Sequence, residues 1–226
     1  MQMTEERKQQ LWKSFTTAHQ VSMRGVPLFE ENDTGVIVFP YGSNGRPMLR
    51  RSSSMEAMMR ALGAAAISEY NRSADDVDGI LYMMFRNVGP EVVPLYVGKS
   101  ELYGKGDRNL SANIADLASG GSMFGRWGYN YAYHIGDLSA ATLDGHPPAK
   151  RSPKYVKWSS SLFDIDGDIV RPKFQIRFWS TLWSRDSQSI WADYGGTRLA
   201  FEEYLLIGIG SDLFPNDLLN NEGRNR

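Results

Sequence analysis

Apolar and polar positions follow two rhythms along this chain. From Met55 to Ala66 the apolar residues Met55, Met58, Met59, Leu62 and Ala66 recur at the spacing of one helix face. Ser53 and Glu56 before them have capping-box spacing, and "NRSADDVDG" ends the run. The thioethers of such a helix suit a core, because they fill gaps well. In "GDRNLSANIADLASGG", Leu110, Ile114 and Leu117 fall on one face, with Asp107 as cap and Gly120-Gly121 as stop. Residues 4–19 and "TRLAFEEYLLIGIG" predict two more helices. The second rhythm is that of strands. Residues 80–86 and 93–97 are rich in β-branched and aromatic types around a Gly-Pro break, which predicts an antiparallel hairpin. "GVIVFPYG", "GYNYAYHIGDL", "YVKWSSSLF" and "PKFQIRFWSTLW" predict further strands. "DGHPPAKRSPK" is a basic, proline-rich loop, and "SDLFPNDLLNNEGRNR" is an irregular tail.

The 226 residues, 42% hydrophobic and 23% charged, fit a globular chain of one domain with an added lobe. No apolar run reaches the ~18 residues of a bilayer span. The start, "MQMTEERKQQLWKSF", has no apolar signal core. The chain has no cysteine, which excludes disulfides and thiolate metal sites. A cytoplasmic protein is expected. Net charge is −1, but Pro147–Arg198 holds nine cations against five aspartates, about +4. A basic segment on a neutral chain is a possible nucleic-acid footprint.

Several chemistries fail on spacing. "LYVGKS" ends like a phosphate loop, but the glycine needed five residues before Gly98 is Val93. "DIDGDIV" offers Asp164, Asp166 and Asp168, yet the calcium-loop glycine and final carboxylate are Ile169 and Gln175. It reads as a polar turn between strands. His19, His134 and His146 lack metal-ligand spacing. No serine sits in a nucleophile elbow.

What remains is an ordered set: "GILY" and "LYVGKS" on the hairpin, Arg108 at the next helix, then Glu203 in an E-x-x-L-I pattern and "FPNDLLNN". This set resembles the GIY-YIG nuclease superfamily, over residues 78–120 and 172–221. The resemblance implies an α/β (α+β) fold, a small mixed β-sheet flanked by helices, with "KFQIRFWS" as third strand. Residues 1–77 would form an N-terminal lobe, 78–221 the nuclease domain with a β-rich basic insertion at about 121–171, and 222–226 a tail. Tyr82 stands three residues after Gly79, where the family's tyrosine stands two after; one residue of shift moves a strand side chain to the other face unless a bulge intervenes. The histidine that some members carry after the arginine is Ala112 here.

The resemblance implies phosphodiester hydrolysis. Glu203 would hold one divalent metal, Mg²⁺ or Mn²⁺, with most of its waters retained. Arg108 would grip non-bridging phosphate oxygens. Tyr82 or Tyr96 would take the proton of the attacking water. A tyrosine's pKa near 10 makes that cost about 4 kcal/mol at neutral pH, and Lys99 is the cation placed to recover part of it. Periodicity alone does not choose between Glu202 and Glu203; the resemblance favours Glu203. Asn216 or Asn220 would match the family's asparagine. Arg126, Lys154 and Lys157, interleaved with Trp127, Tyr129, Tyr131 and Trp158, would bind phosphates and stack on bases. The expected function is a metal-dependent endonuclease of double-stranded DNA, most simply a type II restriction enzyme acting as a homodimer. A repair nuclease or toxin of the same fold, or an inactive nucleic-acid-binding module, are the alternatives.

Overall fold

The structure, a computed structural model, describes residues 3–72, 76–105, 109–119 and 121–224. In chain order the elements are α1 (Glu5–Ala18), α2 (Val21–Arg24), β1 (Val26–Pro27), β2 (Glu31–Asn32), β3 (Gly35–Val36), β4 (Val38–Tyr41), β5 (Arg46–Leu49), α3 (Ser53–Asn71), β6 (Val77–Val88) and β7 (Glu91–Glu101). Then come α4 (Ala112–Ser119), α5 (His134–Thr142), α6 (Pro153–Leu162), β8 (Phe163–Asp166), β9 (Ile169–Pro172), β10 (Arg177–Ser184) and α7 (Leu199–Leu213). The chain divides into two compact units. One holds Met1–Val26, Ala65–Ser111 and Arg177–Arg226, the other Pro27–Ala64 and Ala112–Ile176. The lobe expected over 1–77 is therefore shared between the units.

The first unit is built on a sheet of order β1-β10-β6-β7. Both β10 and β7 pair with β6 antiparallel, so the mixed sheet expected from sequence is corrected to a mainly antiparallel one. Its long hairpin forms as predicted. The apolar residues of β6 fill both faces. Leu81, Met83 and Phe85 join Val97, Trp179 and Trp183 in a core closed by Leu11, Trp12 and Phe15 of α1 and Leu199, Leu206 and Ile207 of α7. Two bonds fasten that layer: Trp12 Nε1 donates to the Val92 carbonyl and Trp183 Nε1 to the Thr197 carbonyl, so neither buried indole is left unsatisfied.

The hairpin departs from regularity twice. Asp78 is an extra residue against β10, since Trp183 faces Gly79 and Ser184 faces Val77. Gly79 takes φ 148°, and a Cβ there would stand 2.2 Å from the Ser100 carbonyl oxygen, so only glycine fits. The bulge turns Asp78 to cap α7, its Oδ2 accepting from the Leu199 amide at 2.9 Å. On β7, Leu95 is the second extra residue, because Phe85 faces Pro94 and Met84 faces Tyr96. A proline in a strand is tolerated at such an edge bulge.

β7 is the sheet edge, and the chain's last segment covers part of it. The Leu219 amide donates to the Leu95 carbonyl. One residue on, the Asn220 side chain imitates a peptide group: Oδ1 accepts from the Val97 amide at 3.0 Å and Nδ2 donates to the Val97 carbonyl at 2.8 Å. An edge covered in this way cannot recruit another strand.

The second unit corrects the expected β-rich insertion. "GYNYAYHIGDL" forms turns and then α5, and "YVKWSSSLF" is helical within α6. Aromatics at helical spacing imitate alternation when the window is short, and here Tyr155, Trp158 and Leu162 are the buried helix face. β8 and β9 do form a hairpin about Asp166–Gly167–Asp168, as the polar-turn reading expects. The α3 cap also shifts by one residue. Ser52, not Ser53, accepts the Met55 amide at 3.0 Å, while Glu56 pairs with Arg51. The Asp107 cap and Gly120 lie outside the described residues.

Asn220→Ala should cost about 1–3 kcal/mol, because it strands the Val97 amide and carbonyl together. Urea unfolding measures this, and Asn220→Asp, which keeps the acceptor alone, should fall between variant and parent.

Candidate functional site

Register decides which of the expected residues can meet. Tyr82 faces Gly98 across the hairpin and Ser180 on β10. Cross-strand partners and residues two apart share a face. Tyr82, Met84, Tyr96 and Gly98 therefore share one, and the displaced "GILY" tyrosine does reach its "LYVG" counterpart, with ring centroids 6.4 Å apart. No bulge between Gly79 and Tyr82 is needed, since the Asp78 bulge precedes the signature. The Tyr82 ring lies across Gly98, where a Cβ would stand 2.6 Å from its Cε2, and stacks on Phe178 at 5.9 Å. Tyr82 is buried at 2% exposure, whereas Tyr96 is half-buried and is the tyrosine an outside ligand can reach. Ser100, two residues beyond Gly98 on this face, was not anticipated. It is buried with an Oγ that has no hydrogen-bond partner among the described residues.

Lys99 stands opposite Leu81, on the face that α7 covers. Its ammonium is paired with the Glu101 carboxylate. Glu203 comes from the second turn of α7 and lies in the same electrostatic neighbourhood. Burial raises its pKa to about 7, with Lys99 pulling it down and Glu101 and Glu222 pushing it up. Glu203 makes no hydrogen bond and no ion pair among the described residues. Register thus puts the tyrosine rings on one face of β7 and Lys99, with Glu203 in its electrostatic neighbourhood, on the other.

The ambiguity between adjacent glutamates resolves. Glu202 is fully buried and spends both oxygens on protein donors, accepting from the Ile190 amide at 2.8 Å and from Ser189 Oγ and Thr197 Oγ1 at 2.7 Å each. It ties the 189–197 loop to α7 and has no capacity left for a cation. Glu203 has that capacity. Its hard oxygens could give a divalent ion a single ligand, water supplying the rest. Among the described residues no cluster of three or more metal-ligating side chains occurs, so one carboxylate would be the protein's main share.

The remaining expected residues scatter. Asn220 is committed to Val97 and is an architectural residue, not a substrate contact. Asn216 is exposed in the turn after α7. Arg108 lies outside the described residues. Arg177 bonds the Ser22 and Gly25 carbonyls. Arg126, Lys154 and Lys157 belong to the second unit, with Arg126 and Lys157 exposed. Trp127, Tyr129 and Trp158 beside them are core residues at 0%, 7% and 0% exposure, so base stacking on them is ruled out. Pattern could not show this, since a buried indole and a stacking platform read alike in a sequence.

No helix among the described residues is long and apolar enough to cross a membrane. No protein-family model matches the chain, and comparison with curated proteins and with solved structures gives no significant match.

A carboxyl group whose folded pKa is raised favours the fold while protonated, and that advantage is lost as pH climbs from 4.5 to about 7. In metal-free buffer Glu203→Gln should match the parent's stability near pH 4. It should exceed the parent increasingly as pH rises, towards a limit of about 3 kcal/mol above pH 7, from the linkage of one pKa unit to about 1.4 kcal/mol. Denaturation at both pH values checks it, and adding Mg²⁺ at the higher pH should stabilise the parent only.

Proposed function

We propose that the chain is a metal-dependent DNA endonuclease of GIY-YIG type, most simply a type II restriction enzyme. The observation that carries this reading is Glu203: a half-buried carboxylate with a pKa near 7, without a hydrogen bond among the described residues, set beside the lysine of the "LYVGKS" strand. A protein has little reason to hold an unpaired carboxylate inside an apolar helix face unless something cationic joins it. The hairpin, its paired tyrosines and the three-strand core β10-β6-β7 support the same reading.

The two faces are reconciled at the β7 edge. The C-terminal segment covers that edge at Leu95 and Val97. Strand hydrogen bonds alternate in direction, so the Lys99 amide points outward at the next step along the same edge. A phosphoryl group lying across Gly98 and Lys99 would have an amide in the strand plane, Lys99 and Glu203 on one side and Tyr96 on the other. The division of work follows from chemistry. The Lys99 ammonium, drawn from Glu101, would hold a non-bridging oxygen. Tyr96, the more accessible phenol, would accept the proton of the attacking water. Tyr82, sealed beneath, would fix the Tyr96 ring and the close passage of Gly98. A divalent ion on Glu203 would neutralise the leaving oxygen. Arg108 would add a guanidinium as the resemblance implies.

A second reading is an inactive nucleic-acid-binding module, and the separation of tyrosines and Glu203 onto opposite faces favours it. Cleavage distinguishes the two.

With supercoiled plasmid and Mg²⁺ the protein should produce discrete fragments. Glu203→Ala should lower the rate by about 10³-fold or more, and Tyr96→Phe by about 10²–10⁴-fold, as for loss of a proton acceptor. Binding of uncut DNA should survive both changes. Equal cutting by Glu203→Ala would sink the proposal, and DNA binding by the parent without any cutting would establish the second reading.

A further inference from the structure

Among the described residues both units hold paired and unpaired cations, but two of the second unit's converge on one ring. In the first unit Arg7, Lys8, Arg86, Lys99 and Arg198 each meet a carboxylate. In the second, Arg46 and Lys150 have no carboxylate partner among the described residues, and both stand over the same ring. The Arg46 guanidinium carbon is 4.7 Å from the Tyr131 centroid and Lys150 Nζ is 4.9 Å from it. Two like charges on one half-buried phenol repel, and the ring's quadrupole offsets only part of that.

The arrangement is held from beneath. Arg46 starts β5, reaches the Asn130 side-chain oxygen at 2.9 Å, and has a buried Nε without a hydrogen-bond partner among the described residues. Tyr131 is pinned by His146, whose Nδ1 lies 2.9 Å from the phenol oxygen while Nε2 lies 2.8 Å from the Pro47 carbonyl oxygen. Burial first, then Arg46 and Arg151, hold His146 below the usual imidazole range, so it adds no third charge.

The positive strip extends past this pair. Asp137 senses both Lys150 and Lys154, and the buried His134 senses Lys154 and Arg126. Lys154 stands over the Tyr155 and Trp158 rings and Arg126 over the Tyr133 ring, in the electrostatic neighbourhood that Asp137 and His134 share with Lys150. Asp137 is the carboxylate within the strip, and its Oδ1 already accepts the Ala132 amide at 2.8 Å. Arg151 at the margin is committed to Asp144 and the Leu143 carbonyl.

We propose that this strip is a track for the phosphate backbone of duplex DNA, with Arg46 and Lys150 over Tyr131 as its fixed point; the choice of DNA as the polyanion rests on the nuclease reading. A row of cations, two of them uncompensated, meets regularly spaced phosphates without reading bases. The buried aromatics beneath set where the charges stand and take no part in stacking.

The test is equilibrium binding of a fluorescent duplex to the full chain in EDTA, over a range of salt concentrations. Each phosphate contact contributes about 0.9 to the slope of log K against log salt. Replacing Arg46→Gln and Lys150→Gln together should flatten the slope by about 1.8 and weaken binding to all sequences alike. Lys150→Glu alone, at an exposed position, should weaken binding even if the double variant fails to fold. Lys13→Gln, an exposed cation of α1, should change neither quantity. If the parent binds duplex and the Arg46 and Lys150 variants keep its slope and affinity, the track is wrong while the nuclease reading stands. Without binding by the parent, the nuclease reading falls and takes the track's ligand with it.

Discussion

The pairing of Tyr82 with Gly98 sets the terms for everything else in the first unit. It places two phenols on one face of the hairpin, and by alternation it sends Lys99 and Leu81 to the other. It also requires the glycine, since any side chain at residue 98 would meet the Tyr82 ring. Slipping the register by one residue would bury Lys99 among the tyrosines and expose the apolar set that α1 and α7 cover. The two bulges, at Asp78 and Leu95, lie outside the stretch from Gly79 to Tyr82 and leave that central pairing intact. One of them is used: it aims Asp78 at the start of α7, the helix that carries Glu203. Sheet register, helix cap and the position of the candidate ligand are in this way one mechanical chain.

Adjacent glutamates in α7 show how context separates residues that composition cannot. Glu202 points to a ring of donors and behaves as a buried polar hub, each oxygen satisfied. Glu203, a helical step of about 100° away, points to a mixed charge cluster and stays unsatisfied. Removing either would harm the protein for opposite reasons. Loss of Glu202 would leave several buried donors unpaired and loosen the 189–197 loop. Loss of Glu203 charge relieves a penalty that the metal-free fold carries, a stability cost of the kind retained at working sites.

Much of the first unit was legible in the sequence because its elements are long and strongly patterned. The hairpin, α1 and α7 show their periods over many residues, and the third strand is apolar enough to read as central. The second unit was less so. Its α5 and α6 span short windows in which tyrosines and tryptophans imitate alternation, and their helical phase is settled by packing that no local rule reports. The candidate site was readable only as an ordered list of residues. Which of Tyr82 and Tyr96 is accessible and which glutamate is spare depend on packing and hydrogen bonds that no local pattern reports, and that Asn220 serves the strand edge depends on a contact across 123 residues. Ser100 carried no signal, since a serine after "VGK" is ordinary until its hydroxyl is found buried. Arg46 and Lys150 escaped notice for a related reason: neither lies near the other in sequence, and their shared ring, Tyr131, brings them together only in the fold.

The covered edge of β7 ties architecture to chemistry. A bare edge strand is open to any extended peptide, and a nuclease that used one would risk losing its site to aggregation. Here the side chain of Asn220 completes the hydrogen bonding at Val97 as a strand would, and the cover reaches no further along the described chain. An amide group on a side chain ends the pairing where a real strand would continue it. The same residue that protects the edge therefore ends the cover one step short of the outward-facing Lys99 amide. Under the proposed function the asparagine would act on chemistry through position, not by touching substrate, and the C-terminal segment would help to define the site.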